Sequence, residues 1–133
     1  MARPEDVLQK VVCQYLDRAL PAEAWYCAIP NGAVLAGNPR QRGMQMNKLK
    51  ATGLKVGAPD LMIFHDGCFY AIELKAGDGK QNANQIAVAE RIRTAGGEYY
   101  VCRSLEDVEA VVLFIWYPAG EGGAAALRAR GIV

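Results

Sequence analysis

The chain has 133 residues, of which 52% are hydrophobic and 22% charged, a composition that supports one globular domain with a single core and leaves no room for a second. Fifteen Lys and Arg against fourteen Asp and Glu give a formal net charge of +1. The total charge therefore predicts no nucleic-acid partner, and any electrostatic argument has to come from where the charges sit.

Pro4 suits a first helical turn, and Leu8, Val12, Tyr15 and Leu16 recur at helical spacing, so a helix is expected from about Pro4 to Leu20, ended by Pro21. Ala24 to Ile29 reads as a strand stopped by the turn Pro30-Asn31-Gly32. The stretch from Ala33 to Gly57 is less regular, with a helix expected near Gln41 to Ala51 and ended by Gly53. Asp60 to Phe64 and Cys68 to Leu74 are apolar runs joined by His65-Asp66-Gly67, which predicts a β-hairpin. Asn82 to Ala95 carries Ile86, Ala89 and Ile92 on one stripe and ends at Gly96-Gly97, so a second helix is expected there. Glu98 to Arg103 is strand-like, and Ser104 with Asp107 approximates a capping box for a helix bearing Leu105, Val108, Val112 and Ile115.

This pattern divides the chain into a domain over residues 1–118 and a Gly- and Ala-rich tail over 119–133. Three readings of the tail stay open: a short helix, a disordered end, or a contact for a second subunit through Arg128 and Arg130. The four cysteines, Cys13, Cys27, Cys68 and Cys102, lack the paired spacing of a zinc site and read as small buried thiols of a reduced compartment. Met1 to Lys10 is polar and no apolar stretch approaches bilayer-spanning length, so a cytoplasmic protein with no membrane partner is expected, in the host cytoplasm if it is viral.

Hydrolysis of a phosphodiester requires charge neutralised on the phosphate, a water made nucleophilic and a stabilised leaving oxygen. Two carboxylates holding Mg²⁺, with a lysine beside them, are a minimal site for all three. Asp60, Glu73 and Lys75 fit that description. The hairpin brings Asp60 near Glu73 at its open end, away from the turn, and strand alternation places Ala71, Glu73 and Lys75 on one face with Tyr70, Ile72 and Leu74 on the other. Glu-x-Lys alone occurs by chance about once in a chain of this size, and usually marks a solvated strand face. Here the glutamate lies between Ile72 and Leu74 in a run that should be buried, where an acid is normally paired or metal-bound.

The run Gly57-Ala58-Pro59-Asp60-Leu61, the hairpin, and Ile72-Glu73-Leu74-Lys75 together resemble the virus-type replication-repair nucleases (VRR-NUC) of the PD-(D/E)xK superfamily. The resemblance extends to Ile29-Pro30-Asn31-Gly32 and Leu49-Lys50-Ala51-Thr52-Gly53 upstream, and to Gln85, Gly96-Gly97 and Ser104 downstream. It implies an α/β, restriction-endonuclease-like core with a mixed central β-sheet flanked by helices. It also implies Asp60, Glu73 and the backbone carbonyl of Leu74 as ligands of Mg²⁺ or Mn²⁺, Lys75 as the cation that orients water, and Glu5 and Gln85 as further site residues. Glu5 shares a helical stripe with Leu8 and Val12, and Gln85 one with Ala89 and Ile92, so both are expected to point inward. The usual Ser-Pro before the glutamine is here Asn82-Ala83, with Gln81 four residues ahead of Gln85, so either glutamine remains a candidate.

Between Glu23 and Asp60 there is no acidic residue, while Arg40, Arg42, Lys48, Lys50 and Lys55 all fall there. Such a segment before the metal ligand is expected to neutralise DNA phosphates, with Asn31 close to the backbone. His65 is the single histidine, which leaves a histidine-metal nuclease unsupported, and Trp25 and Trp116 read as core rather than base-stacking residues. The expected function is metal-dependent hydrolysis of duplex or branched DNA, with a flap- or site-directed nuclease on the same fold and a non-catalytic DNA-binding module as the alternatives. Stand-alone relatives resemble Holliday-junction resolvases, and cutting two strands of a junction favours a homodimer.

Overall fold

A four-stranded mixed sheet in the order β1-β2-β3-β4 forms the centre of the computed structural model, which describes residues 3–30, 35–117 and 123–132. The strands are β1 (Ala24–Ala28), β2 (Leu61–His65), β3 (Cys68–Leu74) and β4 (Glu98–Cys102); the helices are α1 (Pro4–Ala19), α2 (Pro39–Ala51), α3 (Ala83–Thr94), α4 (Leu105–Trp116) and α5 (Gly123–Ala129). β1 and β2, and β2 and β3, pair antiparallel, while β3 and β4 run parallel. A parallel pair needs a crossover, and α3 supplies it. The hairpin between β2 and β3 closes on Asp66 at φ 51 and Gly67 at φ 76, the left-handed pair that a two-residue turn matched to strand twist requires.

The period-2 alternation assigns each sheet face its own cover. Leu61, Ile63, Ile72, Leu74, Tyr100 and Cys102 point to one face, where Val12 and Leu16 of α1 and Val108, Val111 and Val112 of α4 complete the main core. Ala71 and Tyr99 point to the other and pack on Ala89 of α3. At about 1.5–3 kcal/mol for each fully buried aliphatic side chain, the first face carries most of the stability. His65 of β2 lies edge-on to Trp116 of α4, with ring centroids 4.1 Å apart, so Trp116 is a packing residue as expected. Trp25 is not: it is 63% exposed, on the α3 side of edge strand β1, and the expectation of a core tryptophan is corrected there. α3 packs chiefly against β4, at the opposite edge of the sheet, and Trp25 stands open among the described residues. Cys68 is likewise exposed rather than buried, and all four thiols are free.

Residues 123–132 belong to this core. Leu127 and Ile132 are buried in it, Arg130 Nη1 pairs with Asp107 Oδ1 at 3.2 Å, and the Ile132 carbonyl accepts from the Val101 amide at 3.1 Å, covering the outer edge of β4. Asp107 also accepts from the Arg103 amide while Ser104 accepts from the Asp107 amide, so the start of α4 is capped from both sides. α2 begins two residues earlier than its apolar pattern suggested, because Asn38 and Gln41 form a capping box and Pro39 takes the first turn. No helix among the described residues is long and apolar enough to cross a membrane.

Candidate active site

The open end of the hairpin gathers the predicted acids. Continuing the β2–β3 register, in which Leu61 faces Ile72, sets Asp60 opposite Glu73 on the α3 side of the sheet. The Asp60 carbonyl accepts from the Ile29 amide, which fixes its backbone, and Asp60 Oδ2 accepts from the Leu74 amide at 2.8 Å, which fixes its carboxylate. Leu74, whose carbonyl is the third expected ligand, is thereby held against Asp60. Glu73 is only 3% exposed and Lys75 8%, on the same face of β3, with Lys75 Nζ 3.7 Å from Glu73 Oε1.

Of the two candidate glutamines, Gln85 is the one that reaches the acids. Its Nε2 donates to Glu73 Oε1 at 2.9 Å, while its Oε1 accepts from the Asn82 amide and its own amide donates to Asn82 Oδ1. Gln81 instead donates to the Tyr99 hydroxyl. The Asn82-Ala83 departure is physically conservative, since asparagine is as good an N-cap as serine.

Glu73 Oε1 thus has two cationic or amide partners, whereas Oε2 is buried with no hydrogen-bond partner among the described residues. Burial first, and the neighbouring Asp60 second, push the Glu73 carboxyl up to about 8, against the opposing pull of Lys75. Burial also raises Asp60, while the Leu74 amide lowers it. Glu5 raises both carboxyls, which places its charge beside the pair. An uncompensated buried carboxylate costs several kcal/mol, so such a group keeps a proton or meets a cation. Among the described residues no three His, Cys, Asp or Glu side chains are gathered closely enough to hold a metal ion by themselves, and Glu5 lies beside the Asp60–Glu73 pair. Two carboxylates with waters and phosphate oxygens nevertheless suffice for Mg²⁺.

Two positioning residues escaped the sequence reading. Gly57 has φ +89, and a Cβ there would lie 2.5 Å from the Asn84 carbonyl oxygen and 2.9 Å from the Gln85 nitrogen, so the segment entering Asp60 passes directly over the first turn of α3. The glycine two residues before Pro59 was the available signal. Arg103 Nη1 donates to the carbonyls of Gly77 and Gly79, at 3.1 and 2.6 Å, and holds the loop after Lys75. A Cβ on Gly79 would come within 4.0 Å of both Glu5 Oε1 and the Lys75 side chain, so this loop passes beside both. No sequence pattern announces the arginine.

Arg40, Arg42, Lys48 and Lys50 are exposed along α2, and Lys55 is exposed in the loop after it. α2 buries no residue. It is rooted between the ends of β1 and β2 where Ala28 faces Leu61, which is the end that bears Asp60. Asn31 lies outside the described residues.

The sequence matches no family model and no curated protein. A solved structure described as a "VRR_NUC domain protein" superimposes on this one with a TM-score of 0.59 at 23% identity, covering 85% of this chain and 88% of that one. The mixed four-stranded sheet with its flanking helices is thus the fold of that VRR_NUC domain protein.

Proposed function

We propose that the chain is a metal-dependent DNA endonuclease that hydrolyses phosphodiester bonds, acting on duplex or branched DNA such as a Holliday junction. The observation that carries this reading is the buried Glu73 carboxyl, one oxygen unpartnered, beside Asp60 and Lys75. Asp60, Glu73 and the Leu74 carbonyl would hold Mg²⁺ or Mn²⁺, which when bound neutralises phosphate charge and makes water a stronger acid. Asp60 is held for that task by the Leu74 amide, and Glu73 by Gln85 and Lys75. Lys75 Nζ, already within ion-pair range of Glu73, orients the attacking water and offsets negative charge at the phosphate. Glu5 sits at the rim, where its charge favours a cation between the other two acids.

The basic residues of α2 and Lys55 supply phosphate contacts from the Asp60 end of the sheet, with Asn31 as a further backbone contact. Cutting both strands of a junction favours a homodimer with two sites related by a two-fold axis.

The test is cleavage of junction, flap, blunt duplex and single-stranded DNA by purified protein, with Mg²⁺ or with chelator, together with Asp60→Ala and Lys75→Ala. Expected is cleavage that needs Mg²⁺ and falls at least 100-fold in either variant, about 3 kcal/mol of transition-state stabilisation. Activity that survives chelation or either substitution refutes the reading.

A further inference from the structure

We infer that Trp25 and Phe64 form a stacking platform for unpaired bases, so that the preferred DNA carries a single-stranded arm next to the cut phosphate. This rests on the nuclease reading of the site and names its substrate class. Trp25 faces Phe64 across β1 and β2, and Phe64 faces Phe69 across β2 and β3. All three share the sheet face of Ala71 and Glu73 by strand alternation.

The two outer rings are 63% and 41% exposed, with centroids 5.9 Å apart and planes tilted by 34°. Large aromatics left open on a sheet are costly in water and suit a flat partner; bases provide one irrespective of sequence. From Phe64 back to Asp60 is four residues along β2, about 13 Å at 3.3 Å per residue. A strand spans that distance in about two to four nucleotides, depending on how far it is drawn out from its stacked spacing of about 3.4 Å.

The charge layout gives the track a direction. At the Asp60 end, Lys55 follows α2 and its four exposed cations. Between the acids and the rings the same face offers Met62 and Cys27, which are uncharged and partly exposed. Trp25, Phe64 and Phe69 line a groove of about 550 Å³ whose border also carries Glu23 and Asp66; these repel phosphate, so a strand there is held through its bases and its backbone stays toward the Asp60 end. A duplex keeps its bases stacked inward and cannot use these rings; a flap or splayed arm can.

The experiment titrates the full chain in chelator with an oligothymidine and with a blunt duplex, reading tryptophan emission, for wild type, Trp25→Phe, Trp25→Ala, Phe64→Ala and the double alanine variant. A Trp116→Phe variant assigns the signal to Trp25. Expected is quenching of Trp25, a loss of single-strand affinity of about 10-fold or more for each alanine, retention within about 3-fold in Trp25→Phe, and unchanged duplex binding. On a flapped substrate with Mg²⁺, KM should rise while kcat holds. Single-strand affinity indifferent to both alanines, or an equal loss on blunt duplex, overturns the inference. So does a wild-type dimer that Trp25→Ala dissociates, because the face then seats a second copy. Ring-dependent binding without any cleavage refutes the nuclease reading alone, and cleavage of the flap unaffected by the double variant refutes the platform alone.

Discussion

Glu73→Gln removes an ionisable group from a site that is 3% exposed and keeps both its size and the oxygen that accepts from Gln85 Nε2. The folded protein holds the Glu73 proton up to about 8, whereas the ordinary value is 4.5. Between those values the folded state binds more protons than the unfolded one, so the contribution of this carboxyl to stability is fully present below about 4.5, falls as pH rises, and is gone above about 8, while the rest of the core keeps the chain folded. At ~1.4 kcal/mol per pH unit the total is on the order of 5 kcal/mol, spread over Asp60 and Glu73 because the two titrate as a pair. Thermal unfolding in chelator from pH 5 to 9 should show wild type losing stability across this window while Glu73→Gln stays nearly flat, the variant melting on the order of 10 °C higher at pH 8.5. Mg²⁺ should restore the wild type at that pH and leave the variant unmoved, because only an ionised pair gains from the cation. Parallel profiles for the two proteins, or equal stabilisation by Mg²⁺, would refute the argument that burial of Glu73 is offset by a metal.

Gly57→Ala forces a side chain into φ +89 and against the Asn84 carbonyl, so it should lower kcat on any cleaved DNA and cost about 1–3 kcal/mol of stability by denaturant unfolding. Leu127→Ala should cost about 2–5 kcal/mol in the same assay, since Leu127 is 2% exposed in the main core. Replacing Lys48 and Lys50 together by Gln should weaken duplex and junction binding alike and flatten the slope of log affinity against log salt by about 0.9 for each phosphate contact removed; an unchanged slope would free α2 of that role.

The sheet and its hairpin were legible because burial and period-2 alternation act on the same residues. Cys68–Leu74 is predicted and observed with the same bounds, since both ends are set by local chemistry, the Asp66-Gly67 turn and the charged Lys75. Asp60, Glu73, Lys75 and Gln85 come together as the pattern implies, and Glu5 lies alongside. Three features were less legible. Residue type alone points Trp25 to the core, but exposure at an edge strand depends on what lies above it, and among the described residues α3 packs chiefly at the other edge, on β4. The start of α2 was obscured because the helix buries nothing and so has no apolar stripe to read, although Asn38-Pro39 carried the signal. The packing of residues 123–132 depends on two apolar side chains in a small-residue segment and on a long-range pair between Arg130 and Asp107, neither of which leaves a periodic trace.

Gln85 shows how a structural requirement and a chemical one converge on one residue. As the third helical residue of a capping box, the position accepts glutamate or glutamine equally, because only the side-chain oxygen is used, here toward the Asn82 amide. Glutamate would add a further negative charge next to Glu73, whose Oε2 already lacks a partner. The amide supplies an oxygen to the helix cap and a hydrogen to Glu73 Oε1 at once. It steadies that carboxyl without competing for a cation, and the close passage of Gly57 over the same turn ties the segment entering Asp60 to it. The two acids are therefore registered to each other twice, once through the β2–β3 ladder and once through the N-terminus of α3. A site assembled on the ladder alone would shift with any slip of the hairpin; the second tie penalises that slip at both Gly57 and Gln85.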